Sequence, residues 1–240
     1  MGILPRVGAA PSSPWREYAL DAASQLHAAL GDNLQSVALR GTSARNATID
    51  GVSDLDLVAF THTPIDDEPE IKIASAPNLE LDLFCTTTQE FLENDKVEAW
   101  LRFNLAHSGY SIWGDDLIST LPEPKLDATA IAHMRDFEDW LQAWPDYFDE
   151  EKTEIGRKEV CTWLMKRITR AAFECVMLVE GAYTRDLHPC VQIAIKHWSE
   201  HEETLTRAAE LAVQPTATKT EIQTIADKAF GLLKQNQPDF

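Results

Sequence analysis

Two apolar runs joined through a glycine turn constrain this chain more than any other feature. The first, Val37-Ala38-Leu39-Arg40, ends at Gly41-Thr42-Ser43. The second follows a polar excursion and reads Ser53-Asp54-Leu55-Asp56-Leu57-Val58-Ala59-Phe60. Both read as strands, over 35–40 and 54–60. Side chains alternate across a strand, so Asp54 and Asp56 emerge on one face while Leu55, Leu57 and Phe60 help fill the interior. Carboxylates facing one point repel unless a cation lies between them, and Mg²⁺ is the common hard partner of carboxylate and phosphate oxygens. The turn supplies the other half of a phosphate site. Gly41 permits close backbone approach, Thr42 and Ser43 offer hydroxyls, and a short helix opening there aims unpaired N–H groups at an anion. Together these features read as a site for a nucleoside triphosphate and a metal.

The string Gly41-Thr42 followed by Ser53-Asp54-Leu55-Asp56-Leu57 resembles the signature of the nucleotidyltransferase superfamily, which includes DNA polymerase β and the small-molecule adenylyltransferases. That signature is a Gly-Ser or Gly-Gly pair, a spacer, and Asp-apolar-Asp-apolar. The resemblance implies an α+β chain. A nucleotidyltransferase domain over 1–123, a small mixed sheet flanked by helices, is followed by an α-helical bundle over 124–240. It also implies one or two Mg²⁺ ions on Asp54 and Asp56, ATP as substrate, and phosphate contacts from Gly41, Thr42, Ser43 and Ser53. Two positions depart from the pattern. Thr42 stands where serine is usual and keeps the hydroxyl; Asn46 stands where many relatives have glycine, and asparagine tolerates positive φ.

A second alternating segment, Asn78-Leu79-Glu80-Leu81-Asp82-Leu83-Phe84-Cys85, reads as a strand with Glu80, Asp82 and Phe84 on one face. In the resembled superfamily a third carboxylate arrives from a neighbouring strand, to complete the metal site or to deprotonate the acceptor hydroxyl. Asp82 is the candidate and Glu80 its competitor; an exposed polar face on an edge strand produces the same pattern.

Around these strands the periodicity predicts helices. One covers 15–30 and stops at Gly31; another covers 87–107, opened by the capping run Thr86-Thr87-Thr88-Gln89-Glu90. Residues before Ser13, rich in proline and serine, read as a loosely held lead-in. The run from His107 to Ile118 resembles the short final strand with a trailing glycine, here Gly114, of many small-molecule nucleotidyltransferases, and Leu121-Pro122-Glu123-Pro124 breaks the chain. Beyond it the pattern is helical. One helix runs from Asp127 to Trp144 and is stopped by Pro145, a longer one covers 153–180, a third begins near Pro189, and a last one opens at a Thr218/Glu221 capping box.

The long helix carries Lys166, Arg167 and Arg170. Lys166 and Arg170 are four apart and share a face, a spacing that can present two cations to phosphates. With Thr184-Arg185 after the Gly181 turn, the segment is similar to the C-terminal domain of the streptomycin/spectinomycin adenylyltransferases. That likeness implies triphosphate contacts from Arg170 and Arg185, the latter an arginine where those relatives have lysine. A solvated face pairing with nearby glutamates also accounts for Lys166 and Arg167. Between 136 and 151, Trp140, Trp144 and Tyr147 alternate with acids. The stretch fits either a face for a polyamine or aminoglycoside, through cation–π and ion pairing, or ordinary core packing with acids toward water.

Charge narrows the partners. A formal net charge of −18 argues against a long nucleic-acid footprint and suits a cationic small molecule or a basic protein patch as acceptor, while acidity that merely keeps the protein soluble accounts for it equally well. No apolar segment reaches membrane-spanning length and the first residues lack a secretory core, so the chain reads as soluble and cytoplasmic. Its four cysteines form no C-x-x-C pair and sit among apolar neighbours, as thiols of a reducing compartment do. His197-Trp-Ser-Glu200-His201 satisfies an inverted zinc-protease pattern on a very acidic helix end, where solvated histidines explain it more simply.

Overall fold

Trp15–Leu30 forms helix α1 because Trp15, Ala19, Ala22, Ala23 and Leu26 recur at helical spacing, and all five are buried. It ends at Gly31, whose φ of 55° suits a residue without a Cβ. In the computed structural model, which describes residues 2–49, 53–93 and 99–237, α1 covers one face of a four-stranded sheet. The strands are β1 (Leu34–Leu39), β2 (Leu55–Thr61), β3 (Leu81–Thr87) and β4 (Tyr110–Gly114), in the order β3-β2-β1-β4. β1 is antiparallel to β2 and β4, and β2 is parallel to β3, so the sheet is mixed.

Alternation decides which layer each strand residue joins. Val37, Leu39, Leu55, Leu57 and Ala59 pack with α1. Ala38, Val58 and Phe60 pack on the opposite face, against Phe91, Leu101, Leu105, Ala106 and Ile118. Those partners come from α2 (Thr88–Leu92), α3 (Ala99–Ser108) and α4 (Leu117–Thr120). β2 is therefore buried along its whole length, and Asp56, on the face of Val58 and Phe60, is an acid inside a covered strand. The Thr87/Glu90 capping box at the start of α2 is made. The helix expected over 87–107 appears as α2 and α3; positions 94–98 of that stretch lie outside the described residues.

The lead-in expected to be loose is tied down instead. Val7 N–H donates to His107 O, Ala9 N–H to Ala44 O and Ser12 N–H to Asn46 Oδ1, while the Arg6 guanidinium donates to the carbonyls of Ile118 and Leu121. Each of these bonds has a backbone group on at least one side, which a proline- and serine-rich composition neither announces nor forbids. A Cβ on Gly8 would lie 1.9 Å from Gly109 O, so only glycine lets the segment lie this close.

The chain divides into two compact units, Gly2–Lys125 and a second that begins at Leu126. In the second, α6 (Glu154–Glu174) packs against α5 (Phe137–Glu150), α8 (Leu187–His197), α9 (Glu202–Val213) and α10 (Lys219–Gln235). Cys161, Leu164, Met165, Ile168, Ala171 and Ala172 give α6 its buried stripe. α7 (Met177–Glu180) ends at Gly181, which adopts the left-handed conformation. Three expectations need correction. Residues 127–130 form only a 3₁₀ turn, and α5 starts at Phe137 and runs through Pro145. Burial of Trp144 and Phe148 on one face holds the helix across the donor that proline lacks. Thr218 stands at the start of α10 without a side-chain cap, and the Glu221 carboxylate that would complete the box pairs instead with Arg207 at 2.6 Å. Helix α9 was not anticipated.

Among the described residues no helix is long and apolar enough to cross a membrane. The four cysteines are free thiols. Burial pushes Cys85, Cys175 and Cys190 up to about 12, which removes them as nucleophiles near neutral pH.

Candidate active site

The site is organised by strand register. β2 and β3 run parallel with Asp56 opposite Asp82, so the two carboxylates stand side by side on one face. Asp56 is 8% exposed, whereas the Asp82 side chain is 57% exposed. Arg40, the residue after β1, completes the group. Its N–H donates to Asp56 O, and its Nη2 lies 3.1 Å from Asp56 Oδ1 and 2.5 Å from Asp82 Oδ2. One nitrogen thus serves both acids, as a point cation would. Arg40 did not stand out in the sequence. Nothing along the chain marks it, because its role depends on β1 lying antiparallel to the strand that holds the buried aspartate.

Gly41 follows at φ 68°, and a Cβ there would sit 2.1 Å from Asp56 Oδ2. Backbone conformation and contact with the carboxylate both require glycine. The chain then makes one 3₁₀ turn, Ser43–Arg45, and ends it at Asn46 with φ 53° and ψ 38°. Asparagine does hold the left-handed position expected of it, and the Ser12 N–H bond to its side chain fixes it there.

The predicted phosphate ligands divide by what they already do. Ser43 is fully buried and its hydroxyl donates to Arg40 O at 3.1 Å, so it shapes the turn. Ser53 Oγ accepts from Ile49 N–H at 2.9 Å and closes the polar excursion. The hydroxyl of Thr42 is buried, and among the described residues nothing hydrogen-bonds to it. Asp54 stands immediately before β2. Glu80 precedes β3 and is exposed, with its carbonyl accepting from Leu55 N–H. The structure brings Asp56 and Asp82 together; among the described residues no group of three or more His, Cys, Asp or Glu side chains is placed to hold a metal ion. That includes the histidines of the 197–201 motif, where His197 Nε2 pairs with Glu180 at 2.7 Å.

The other predicted cations lie in the helical unit. Arg170 Nε donates to Arg185 O at 3.2 Å, so this pair is brought together. Lys166 sits one turn earlier on α6, partly buried. Arg167 lies over the Trp163 ring at 4.8 Å. Trp140 and Trp144, candidates for an aromatic binding face, are 4% and 0% exposed and belong to the core. Beside the arginines is a buried pair. Glu174 Oε1 is 2.9 Å from His133 Nδ1, and its Oε2 accepts N–H bonds from His133 and Met134 at 2.7 and 2.9 Å. Burial pushes His133 down to about 4, against the opposing pull of Glu174, with the charges of Arg185 and Arg170 acting in the same downward direction. Glu174 stays below the ordinary carboxylate range because its hydrogen bonds and the nearby cations outweigh the upward push of burial. The pair is therefore neutral histidine and charged glutamate near pH 7.

No model of a known protein family matches the chain, and no curated protein does. Its fold does have a solved counterpart. The crystal structure of spectinomycin adenyltransferase AAD(9) from Enterococcus faecialis, with ATP and spectinomycin, matches over 91% of this chain and 98% of its own, with a TM-score of 0.57 and 15% identity. The resemblance to aminoglycoside adenylyltransferases drawn from the Gly41 turn and the Asp54/Asp56 strand is thus met independently at the level of the fold.

Proposed function

We propose that this chain is a nucleotidyltransferase that moves AMP from ATP to the hydroxyl of a cationic small molecule such as an aminoglycoside. One observation carries the reading: within a fold shared with an adenyltransferase, Asp56 and Asp82 stand in register beside the Gly41 turn with their oxygens on one positive atom.

The donor set suits a hard divalent ion. Two carboxylates already share a cation, and a buried hydroxyl, Thr42 Oγ1, sits at the adjoining turn without a partner among the described residues. Asp54, Asp56 and Asp82 would hold Mg²⁺, whose chemistry when bound is to neutralise the charge that develops on the triphosphate as pyrophosphate leaves. The chain's own residues do the rest. Gly41 admits the phosphates close to the backbone and Thr42 donates its hydroxyl to them. Ser43 and Ser53 hold the shape of that cradle. Asp82, the exposed member of the pair, accepts the proton of the acceptor hydroxyl. The surplus of acid over base across the chain favours a cationic acceptor. Free thiols throughout fit a reducing compartment, the cytoplasm.

The test is to incubate the purified chain with α-labelled ATP and Mg²⁺, first with a panel of aminoglycosides and then with cell lysate. Label on a drug is the expected result. Label on a protein band would reassign the acceptor to a protein, and nucleotide binding without transfer to either would make the chain a binding module.

A further inference from the structure

Asp56 is an acid on a strand covered on both faces, with a second acid in register beside it. An arrangement of this kind is strongly unfavourable without positive charge between the carboxylates. Arg40 supplies that charge in an unusual way for arginine. Its planar fork normally meets a carboxylate with two nitrogens. Here one nitrogen, Nη2, faces both acids, and Nε is buried with no partner among the described residues. The backbone of Arg40 is fixed by its bond to Asp56 O, whereas the guanidinium is held at one corner on a long rotatable stem. A divalent ion suited to the two carboxylates would need the position that Nη2 fills.

We propose that Arg40 is an internal counter-cation that holds the Asp56–Asp82 pair until a divalent ion displaces its guanidinium, and that it thereby sets the affinity of the site for metal. This rests on the reading of the carboxylates as a Mg²⁺ site given above. Displacement costs the Arg40 contacts, so metal binds more weakly than the bare carboxylates would allow. The same exchange keeps positive charge between the two carboxylates at every stage.

The test is binding of Mn²⁺ alone to the full nucleotide-free chain, followed through the electron paramagnetic resonance signal of free Mn²⁺. Arg40→Gln keeps polarity and removes the charge, and is expected to tighten Mn²⁺ binding by about tenfold or more. Arg40→Lys restores a cation and should return affinity toward the wild-type value. A readout in the unaltered chain guards against a misfolded variant: the Nε–H resonance of Arg40, assigned by its loss in Arg40→Lys, should shift as Mg²⁺ is added. If wild type binds Mn²⁺, Asp56→Asn abolishes that binding, and the folded Arg40→Gln chain binds no more tightly, the metal site stands and the role of Arg40 is overturned. An Arg40 resonance unmoved by bound Mg²⁺ overturns it equally. If neither wild type nor Arg40→Gln binds Mn²⁺, the metal reading itself falls and takes the proposal with it.

Discussion

Each unit of this molecule contains an acid in a protected place, and the two are satisfied in opposite ways. Glu174 is held by a histidine ring and two backbone N–H groups, donors that cannot leave without opening the fold. Asp56 and Asp82 are held by the tip of a long side chain, one of them largely open to water. Fixed donors make Glu174 a structural charge that joins α6 to the segment before α5. A movable donor leaves the sheet pair able to exchange its cation for a ligand. What separates a candidate site from a buried network is therefore how readily the partner can withdraw, more than burial or charge.

The contrast predicts that the two acids fail differently. Glu174→Ala strands His133 and two N–H groups, and should cost about 3–5 kcal/mol of stability, read from urea unfolding. A loss below about 1 kcal/mol, the range of an exposed pair, would make Glu174 no more structural than Asp82.

The next largest effect is on pH dependence. His133 is held in its neutral form when folded, at about 4 against the ordinary 6.5. Protonation is easier in the unfolded chain, so its contribution is fully present above pH 6.5 and is lost as pH falls through the folded value. Glu174, lowered in the fold, loses its contribution in the same direction below the usual carboxylate range. Stability should decline between pH 6.5 and 4 by about 3 kcal/mol from His133 alone. His133→Gln should flatten that slope, and an unchanged slope would place the acid sensitivity elsewhere.

At the sheet, Asp82→Asn should change stability by less than about 1 kcal/mol while lowering nucleotidyl transfer roughly a hundredfold or more. Unfolding and steady-state rates on one preparation check both halves. A variant that keeps its activity would leave Asp82 as a surface ion pair.

The smallest effect concerns two threonines that look alike in sequence. Thr87 caps α2 and Thr218 does not cap α10. Thr87→Ala should cost about 1 kcal/mol, and Thr218→Ala a few tenths or less, in thermal unfolding.

That pair also marks how far the sequence could be read. Local patterns were legible where nothing distant competed. α1 ended at its glycine, Asn46 took the left-handed turn, and the Thr87/Glu90 box formed where both partners lie within one helical turn. Elsewhere a tertiary partner won. Arg207 took Glu221 from the box at Thr218, and the buried face of Trp144 and Phe148 carried α5 past a proline that lacks the donor a helix uses. The lead-in was illegible because backbone bonds hold it, and these leave no mark on composition.

For the site, the alternation of Asp54 and Asp56 and the apolar setting of Asp82 could be seen along the chain. Arg40 could not, since its role exists only once β1 is laid antiparallel to β2 and Asp82 arrives in register. Likewise His133 and Glu174 are 41 residues apart, and no periodicity links them.

The most direct measurement is a crystal structure of the chain grown with Mn²⁺ and a non-hydrolysable ATP analogue, with anomalous data collected to locate manganese. The expected result is an anomalous peak bound by the Asp56 carboxylate, the triphosphate against the Gly41–Thr42 turn, and the Arg40 guanidinium withdrawn from Nη2's present position. Nucleotide bound away from that turn, with Arg40 still joining Asp56 to Asp82 and no manganese beside them, would contradict it.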